Sequence, residues 1–252
     1  MKLIWTFNSN VNFGVQVGLH TPERQTILLN YYIHSINTAH KLGYYTIIYC
    51  DSLLKEYFIT VADEVIILES YENSPLWDSF KIKVLEERND DFALIDGDVI
   101  LHNKLPVFKS DITFDSYEIN NFKLNYKAIL NDLTNMGIGD VLDIWVNKQL
   151  PIISCGILSV KNAELKQKYV SSWKIYNKFI IDNIDKVDID FATMVGAQYL
   201  LTILAEGLEQ TKLSNFVGED TKYYKHYCGP LKYNNPLVAV DYTIHNLKKA
   251  LF

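Results

Sequence analysis

The sequence predicts an α/β fold in which a mostly parallel central sheet carries helices on both faces. Short apolar runs alternate with longer segments of helical periodicity, most clearly in the first half of the chain. These runs are apolar at consecutive positions, which is typical of strands buried on both faces. Polar or acidic residues follow the runs, at the edge where parallel sheets bind their ligands.

Composition limits the class of protein. The chain has 252 residues, is 48% hydrophobic and 13% aromatic, and therefore supports one large folded domain over residues 1–252. The net charge of −6 argues against a nucleic-acid-binding surface, which needs clustered Lys and Arg. No signal peptide or membrane-spanning stretch is expected, and three widely spaced cysteines predict reduced thiols in a cytoplasmic protein.

The first half supplies four predicted strands and the helices between them. The strands are KLIWTF at 2–7, YTIIYC at 45–50, EVIIL at 64–68 and FALI at 92–95. An apolar stripe predicts a helix over 25–42, which Gly43 closes as the carboxyl-terminal cap. Further helices are expected at 53–58 and 76–88.

The second half is less regular. PIISCGILSV at 151–160 predicts a strand that contains Gly156, and a helix is expected from Asn162 to about residue 181. Another helix is predicted over 190–209, followed by polar loops that include HYCGPLK at 226–232.

Two carboxylates close the fourth predicted strand, in the run FALIDGDVIL. Asp96 and Asp98 are separated by Gly97 only, and alternate residues of an extended segment point to the same side. Two such carboxylates repel unless a cation lies beside them, and Mg²⁺ and Mn²⁺ prefer oxygen ligands. Gly97 leaves room for a ligand to approach the backbone.

The Asp-x-Asp pattern alone is weak evidence, since about one is expected by chance in a chain of this composition. A second one, Asp188 and Asp190, precedes a predicted helix, where Asp190 is more simply an N-cap. The position of Asp96 and Asp98 at the end of a buried strand is what favours a metal site.

The segment HYCGPLK adds the spacing H-x-x-G-x-x-K through His226, Gly229 and Lys232. Its chance expectation is only about 0.02, so it is a sharper signal than Asp-x-Asp. A neutral imidazole can complete a Mn²⁺ shell begun by two carboxylates. A glycine lets backbone N–H groups approach a diphosphate, and a lysine neutralises its charge.

An Asp-x-Asp after a strand followed far downstream by H-x-x-G-x-x-K resembles the retaining glycosyltransferases of the GT-A fold, of the glycogenin and lipopolysaccharide galactosyltransferase type. The resemblance is distant and spans residues 3–232. It implies that Asp96, Asp98 and His226 ligate Mn²⁺ or Mg²⁺, and that Gly229 and Lys232 contact the diphosphate of a UDP-sugar. Gly97, because of the room it leaves at the backbone, is a further candidate for binding this donor. Residues 1–101 then form the nucleotide-binding half, and residues 102–252 the half that completes the metal site and holds the acceptor.

Two further segments match the family less tightly. SCGILSV resembles its N-x-G-x-x strand, with Ser154 in place of Asn and Gly156 kept. AQYLL resembles its D-Q-x-x-L segment, in which Gln198 is kept and Ala197 replaces the Asp that touches the donor sugar. Gln198 is therefore a candidate for the reacting face, with polar helix surface as the simpler alternative.

Several residues are candidate site residues because of where they lie relative to the predicted strands and helices. Thr6 and Asn8 end the first strand, where GT-A enzymes hold the uracil and ribose. Lys81 precedes the Asp-x-Asp on a helix and is either a donor contact or a solvated helix charge. Asp51 either contacts the nucleotide or caps the following helix. Asp190 is a candidate acceptor-side carboxylate or general base.

The resulting interpretation is a metal-dependent glycosyltransferase of the hexosyltransferase type, acting with retention on a nucleotide-diphospho-sugar, with an unspecified glycan, lipid or other acceptor. Ala197 keeps open a sugar-nucleotide-binding module with weakened catalysis. A phosphatase with Asp96 as its nucleophile is a third alternative. The C-terminal IHNLKKALF leaves peripheral membrane contact open, with docking on its own domain as the simpler role.

Overall fold

A computed structural model describes residues 1–9, 22–118, 126–148, 150–215 and 218–228, with only the backbone of 22–24. The described residues contain nine strands. These are β1 (Lys2–Phe7), β2 (Tyr45–Cys50), β3 (Glu64–Ile67), β4 (Phe92–Ile95), β5 (Val99–Leu101), β6 (Ile112–Glu118), β7 (Ile152–Val160), β8 (Gln210–Lys212) and β9 (Tyr224–His226).

Helices connect most of these strands. They are α1 (Pro22–Lys41), α2 (Lys55–Phe58), α3 (Ser79–Glu87), α4 (Tyr126–Asn135), α5 (Ala163–Asp182), α6 (Ile189–Met194) and α7 (Leu200–Leu204), with short 3₁₀ turns at Ser52–Leu54, Ile138–Asp140 and Ile184–Lys186. The predicted strands at 2–7, 45–50 and 92–95 are confirmed with their bounds.

The described residues cluster into two compact units. The first takes its described residues from the ranges Met1–Glu69, Asp91–Val107 and Gly218–Phe252, and the second from Ser70–Asp90 and Phe108–Val217. The single domain over residues 1–252 remains a prediction.

Four parallel strands form the sheet of the first unit, in the order β3-β2-β1-β4. Leu3 to Phe7 of β1 are all buried, so both faces of this strand are covered. On one face, Trp5 Nε1 donates a hydrogen bond to Ser35 Oγ of α1 at 3.0 Å. The predicted α/β class with parallel strands is confirmed.

Helix α1 ends where the sequence predicts, at a glycine. Gly43 has φ of +79°, a left-handed conformation that costs a residue without Cβ little. Its N–H donates to His40 O at 2.8 Å, which satisfies one of the last helical carbonyls. His40 and Lys41 lie in the last turn, where positive charge favours the helix dipole.

A two-stranded antiparallel pair of β5 and β9 lies beside the parallel strands of the first unit. Its register sets Val99 opposite His226 and Leu101 opposite Tyr224. Backbone hydrogen bonds from His102 N and Asn103 N to Tyr223 O, at 2.8 and 3.1 Å, fix this pair of strands further. This pair brings residue 226 to the end of the Asp-x-Asp segment.

In the second unit, β6 lies between β7, which is antiparallel to it, and β8, which is parallel. The register shifts between the pairs Phe114–Leu158 and Ser116–Ser154. Gly156 therefore lies in an irregular part of β7 that carries extra residues. Glycines are common at such bulges because they adapt to the local bend. The bulge is therefore a structural reason for a glycine at position 156 that does not require a role in binding.

Helices α3 and α5 of the second unit contact each other through a buried carboxylate. Trp173 Nε1 donates to Asp78 Oδ2 at 2.9 Å, and both side chains are at most 1% exposed. Burial raises the pKa of Asp78 to about 7, although the Trp173 bond and the charge of Lys81 act to lower it. Asp78 thus carries a desolvation cost when ionised.

The predicted helix over 190–209 is only partly correct. α6 is followed directly by a π-helical turn, Val195–Tyr199, and then by α7, which ends at Leu204. The prediction that Asp190 is the N-cap is wrong. Asp188 has the extended cap conformation and accepts a hydrogen bond from Phe191 N at 3.2 Å, while Asp190 lies in the first turn.

Within the described ranges, the helices are all too short or too polar to cross a lipid bilayer. The segment IHNLKKALF lies outside the described residues.

We predict that Asp78→Asn removes a pH dependence of stability. Because the folded pKa of about 7 exceeds the unfolded value of about 3.9, the native state binds more protons between these pH values. The free energy of unfolding of the native chain therefore falls as pH rises through this window, and that of the variant does not. Denaturant titrations at about pH 5 and about pH 8.5 measure the difference.

The variant keeps an oxygen acceptor for the Trp173 indole, so this bond is not lost with the charge. Asp182→Asn, at an exposed ion pair with Lys178, is the matched control. A native-to-variant stability difference that is the same at both pH values contradicts the prediction.

Candidate metal centre

Asp96, Asp98 and His226 come together in the first unit. The two aspartates follow β4 directly, and His226 ends β9. One ligand atom from each of the three side chains lies within 4.8 Å of the other two, and Asp98 Oδ1 is 3.3 Å from His226 Nε2. Asp98 and His226 are buried, and Asp96 is half-buried.

The geometry fits one divalent ion. Ligands on opposite sides of such an ion are about 4–5 Å apart, and neighbouring ligands are about 3 Å apart, given metal–oxygen distances of about 2.0–2.6 Å. The two carboxylates supply oxygen ligands, which Mg²⁺ and Mn²⁺ prefer, and the imidazole supplies a nitrogen ligand that Mn²⁺ also accepts. Without a cation, burying two carboxylates side by side is unfavourable, since the pair repels. These residues can therefore hold a metal ion.

Backbone hydrogen bonds shape the segment between the ligands. Val99 N donates to Asp96 O at 3.1 Å, which closes a tight turn around Gly97. Tyr227 N donates to Asp98 O at 2.9 Å, which extends the β5–β9 pairing to the residues that flank the candidate ligands. The positions of both aspartates are thus set by main-chain contacts and not only by their side chains.

Helix α1 supports this segment from one side through three residues. Ser35 Oγ donates to Val99 O at 2.5 Å. The ring of Tyr31 lies 5.6 Å, centroid to centroid, from that of Tyr227. The ring of Tyr32 lies against Gly97.

Gly97 has a steric role that the sequence interpretation did not include. A methyl carbon on Gly97 would lie 2.2 Å from Cδ2 of the Tyr32 ring, a distance that non-bonded carbons do not reach. The space above this Cα is therefore filled by Tyr32. A diphosphate contact by Gly97 remains a prediction.

The predicted nucleotide residues lie at the carboxyl ends of β1 and β2. Thr6 and Asn8 are both buried there. Asp51 is fully buried, and its two oxygens accept hydrogen bonds from Ser9 N and from Leu53 N. The capping alternative therefore holds for Asp51, which also ties the end of β1 to the end of β2.

Lys81 lies on α3 in the second unit and is 8% exposed, so its alternative as a solvated helix charge is wrong. Its Nζ is 6.0 Å from the centroid of the Trp77 ring, within the range of a cation–π contact. A buried lysine is costly unless its charge is compensated. A role in donor binding remains a prediction.

Gln198 lies in the π-helical turn and has a partner that the sequence interpretation missed. Tyr126 Oη is 2.6 Å from Gln198 Oε1 and 3.2 Å from Glu118 Oε2. Burial raises the pKa of Tyr126 well above its usual range, and Glu118 raises it further, so the phenol keeps its single proton. If the side-chain amide of Gln198 were turned by 180°, its NH₂ group would donate a hydrogen bond to Tyr126 Oη. The phenol proton would then be donated to Glu118.

π-Helical turns are rare, and they occur often at functional sites. The sequence interpretation placed one continuous helix over 190–209 and gave no signal for this turn. For the remaining candidates the structure gives less detail. Asp190 is half-buried in the first turn of α6. Gly229 and Lys232 lie outside the described residues, so their proximity to His226 in space is not described.

Known proteins match this chain in structure and not in sequence. No family model matches it, and no curated protein matches it significantly. The crystal structure of the galactosyltransferase LgtC in complex with donor and acceptor sugar analogues aligns over 100% of both chains, with a TM-score of 0.52 and 9% identity. The chain has the GT-A fold.

Two other solved structures align with lower scores. An active-site variant of LgtC, with glutamine replaced by glutamate, gives a TM-score of 0.47 at 11% identity over 99% of this chain and 93% of its own. Mouse xyloside xylosyltransferase 1 in its apo form gives a TM-score of 0.38 at 10% identity, over 77% of this chain and 80% of its own. The GT-A fold predicted from the two motifs is thus confirmed as a fold, through the first structure.

We predict that Mn²⁺ stabilises the protein through Asp96, Asp98 and His226. An ion that binds only the folded state, at about 100 times its Kd, adds about 2.7 kcal/mol to the free energy of unfolding. For a chain of this size that raises Tm by several degrees. Thermal unfolding with and without Mn²⁺ measures the shift, which Asp98→Ala and His226→Ala should abolish.

His40→Ala is the matched control, because His40 is an exposed histidine of the same unit that lies 3.9 Å from Asp63. It should retain the full Mn²⁺ shift. An undiminished shift in both Asp98→Ala and His226→Ala contradicts the metal assignment.

Proposed function

We propose that this chain is a metal-dependent glycosyltransferase of the hexosyltransferase type. It moves a sugar from a nucleotide-diphospho-sugar, UDP-linked by resemblance, to a glycan, lipid or other acceptor. One observation carries the proposal: Asp96, Asp98 and His226 converge after a strand of a parallel sheet, in a chain with the GT-A fold. Parallel α/β sheets bind their ligands at this edge.

Each residue of the first unit has a proposed part. Asp96, Asp98 and His226 hold Mn²⁺ or Mg²⁺ in fixed positions, and Thr6 and Asn8 receive the nucleoside at the end of β1. Gly97, Gly229 and Lys232 are proposed contacts of the diphosphate. When bound, the ion acts as a Lewis acid that stabilises negative charge on the departing diphosphate. Asp51 keeps the ends of β1 and β2 together, since both of its oxygens bind backbone N–H groups.

In the second unit, Gln198 is the proposed contact with the reacting face of the donor sugar. Its support is the hydrogen bond to Tyr126, which fixes its amide, and its place on a π-helical turn. Lys81 and Gly156 are proposed donor-side residues, and Asp190 a proposed acceptor-side base. Retention follows from the family resemblance, with positioning of donor and acceptor as the main source of catalysis.

The alternative is a module that binds sugar nucleotides with weakened turnover. Ala197 favours it, because the resemblance places a carboxylate there and this alanine is 3% exposed, which leaves no space for a larger side chain without rearrangement. A phosphatase is not proposed, because the fold is that of glycosyltransferases. A cytoplasmic location is proposed on the ground that Cys50 and Cys155 are buried cysteines that are not in disulfides.

We predict that the purified protein releases UDP from at least one UDP-sugar when Mn²⁺ is present. A screen of UDP-linked hexoses, read by coupled detection of UDP, measures this activity. Asp98→Asn should lower the rate by on the order of 100-fold or more, because one oxygen ligand loses its charge where the leaving group develops negative charge. Gln198→Ala should lower kcat with little change in the binding of UDP.

Asp182→Asn, with the same chemical change on the surface of α5, should leave the rate unchanged. UDP-sugar binding without UDP release from any donor would support the binding-module alternative. If no UDP or UDP-sugar binds with Mn²⁺ present, the proposed function is wrong.

A further inference from the structure

Tyr32 touches both parts of the proposed donor site in the first unit. Its hydroxyl donates to Thr6 O, at the carboxyl end of β1, with a distance of 3.0 Å. Its ring lies directly against Gly97, between the two candidate metal ligands. One phenol thus joins the end of the first strand to the Asp-x-Asp turn.

The ring of Tyr32 is held as firmly as its hydroxyl. It stacks on Phe7 with ring centroids 4.4 Å apart and an interplanar angle of 8°. Phe58 of α2 packs against both rings, 6.4 Å from Tyr32 and 6.3 Å from Phe7. Tyr32 itself is 8% exposed. A side chain packed in this way transmits a displacement, because close-packed interiors do not absorb it locally.

The Tyr32 ring also packs tightly against Gly97. Atoms of the Tyr32 ring occupy the place where a Cβ at residue 97 would lie, at 2.2 to 2.4 Å. A shift of the Asp96–Asp98 turn therefore moves the ring or breaks the contact. Since the ring is stacked on Phe7, the residue after Thr6, such a shift also reaches the end of β1.

We propose that Tyr32 is a positioning residue that couples metal binding at Asp96 and Asp98 to nucleoside binding at the carboxyl end of β1. The inference rests on the proposed function, which supplies the two ligands. The ion removes the repulsion between the two carboxylates that tends to displace the turn around Gly97. Tyr32 carries this change to the Thr6 carbonyl, and the end of β1 is ordered for a nucleoside. By linkage, a nucleoside bound at β1 strengthens metal binding by the same factor.

Uridine is the probe that isolates this coupling, because it lacks the diphosphate that would touch the ion directly. Its Kd is measured by calorimetry with and without Mn²⁺. In the native chain Mn²⁺ should tighten uridine binding by about five-fold, the lower range of typical coupling. Tyr32→Phe keeps the stacked ring and removes the hydroxyl that reaches Thr6 O, so the factor should fall from about five to about two or less.

Tyr71→Phe is the matched control, since Tyr71 is a buried tyrosine of the second unit whose hydroxyl donates to Glu86 Oε2 at 2.9 Å. It should keep the coupling of the native chain. The inference is overturned if uridine does not bind, if Mn²⁺ leaves its Kd unchanged in the native chain, or if Tyr32→Phe retains the full factor.

A second measurement uses the metal alone. Gly97→Ala should weaken Mn²⁺ binding, read by electron paramagnetic resonance, by about ten-fold or more, because the methyl group displaces the Tyr32 ring. In a Tyr32→Ala background the same substitution should change the affinity by less than about two-fold, since the clash is gone. Additive effects in the double variant would overturn the steric part of the inference.

These outcomes separate the inference from the function on which it rests. If UDP binds with Mn²⁺ but uridine shows no coupling, Tyr32 is not a positioning residue and the glycosyltransferase proposal stands. If neither UDP nor UDP-sugars bind, both are wrong. Thermal unfolding of metal-free Tyr32→Phe distinguishes a folding defect from lost coupling.

Discussion

The candidate site depends on the antiparallel pairing of β5 with β9. The pair sets His226 opposite Val99, the residue after Asp98, although the two residues are 127 positions apart in the chain. The Tyr227 N–H bond to Asp98 O continues the ladder past the candidate ligands. Because strand pairing fixes both partners by their backbones, the imidazole faces the carboxylates before any ion binds. Such preorganisation lowers the conformational cost of binding a ligand.

The rest of the first unit opposes the tendency of two carboxylates to separate. The Ser35 bond to Val99 O and the packing of Tyr32 on Gly97 hold the turn against α1, and Trp5 in turn donates to Ser35. The chain therefore spends part of its folding stability on holding two like charges close together, an arrangement that a cation stabilises. Local arrangements that cost stability are typical of functional sites. The candidate metal centre has this character, because its two neighbouring carboxylates repel each other until a cation binds.

How well the sequence predicted these features depends on the range of the interaction that forms them. β1 and β2 were predicted with their bounds, because continuous apolar runs and flanking polar residues are local signals. The meeting of Asp98 with His226 could be expected only from a family resemblance, since β5 and β9 are three-residue strands with no periodicity of their own. Tyr32 and Tyr126 were missed because an aromatic residue on a helix is read as core until its neighbours are known. The cap at Asp188 depends on one hydrogen bond, and the π-helical turn at Gln198 on a local change in the spacing of backbone hydrogen bonds; residue patterns resolve neither.

The central claim is that Asp96, Asp98 and His226 surround one divalent ion. Crystals grown with Mn²⁺ and UDP, measured near the manganese absorption edge, test it most directly through the anomalous difference map. The account predicts one strong peak within about 2.0–2.6 Å of an oxygen from each aspartate and of His226 Nε2, with the remaining positions filled by diphosphate oxygens or water. A peak elsewhere, or no peak beside Asp98 and His226 in crystals that contain bound UDP, would contradict it.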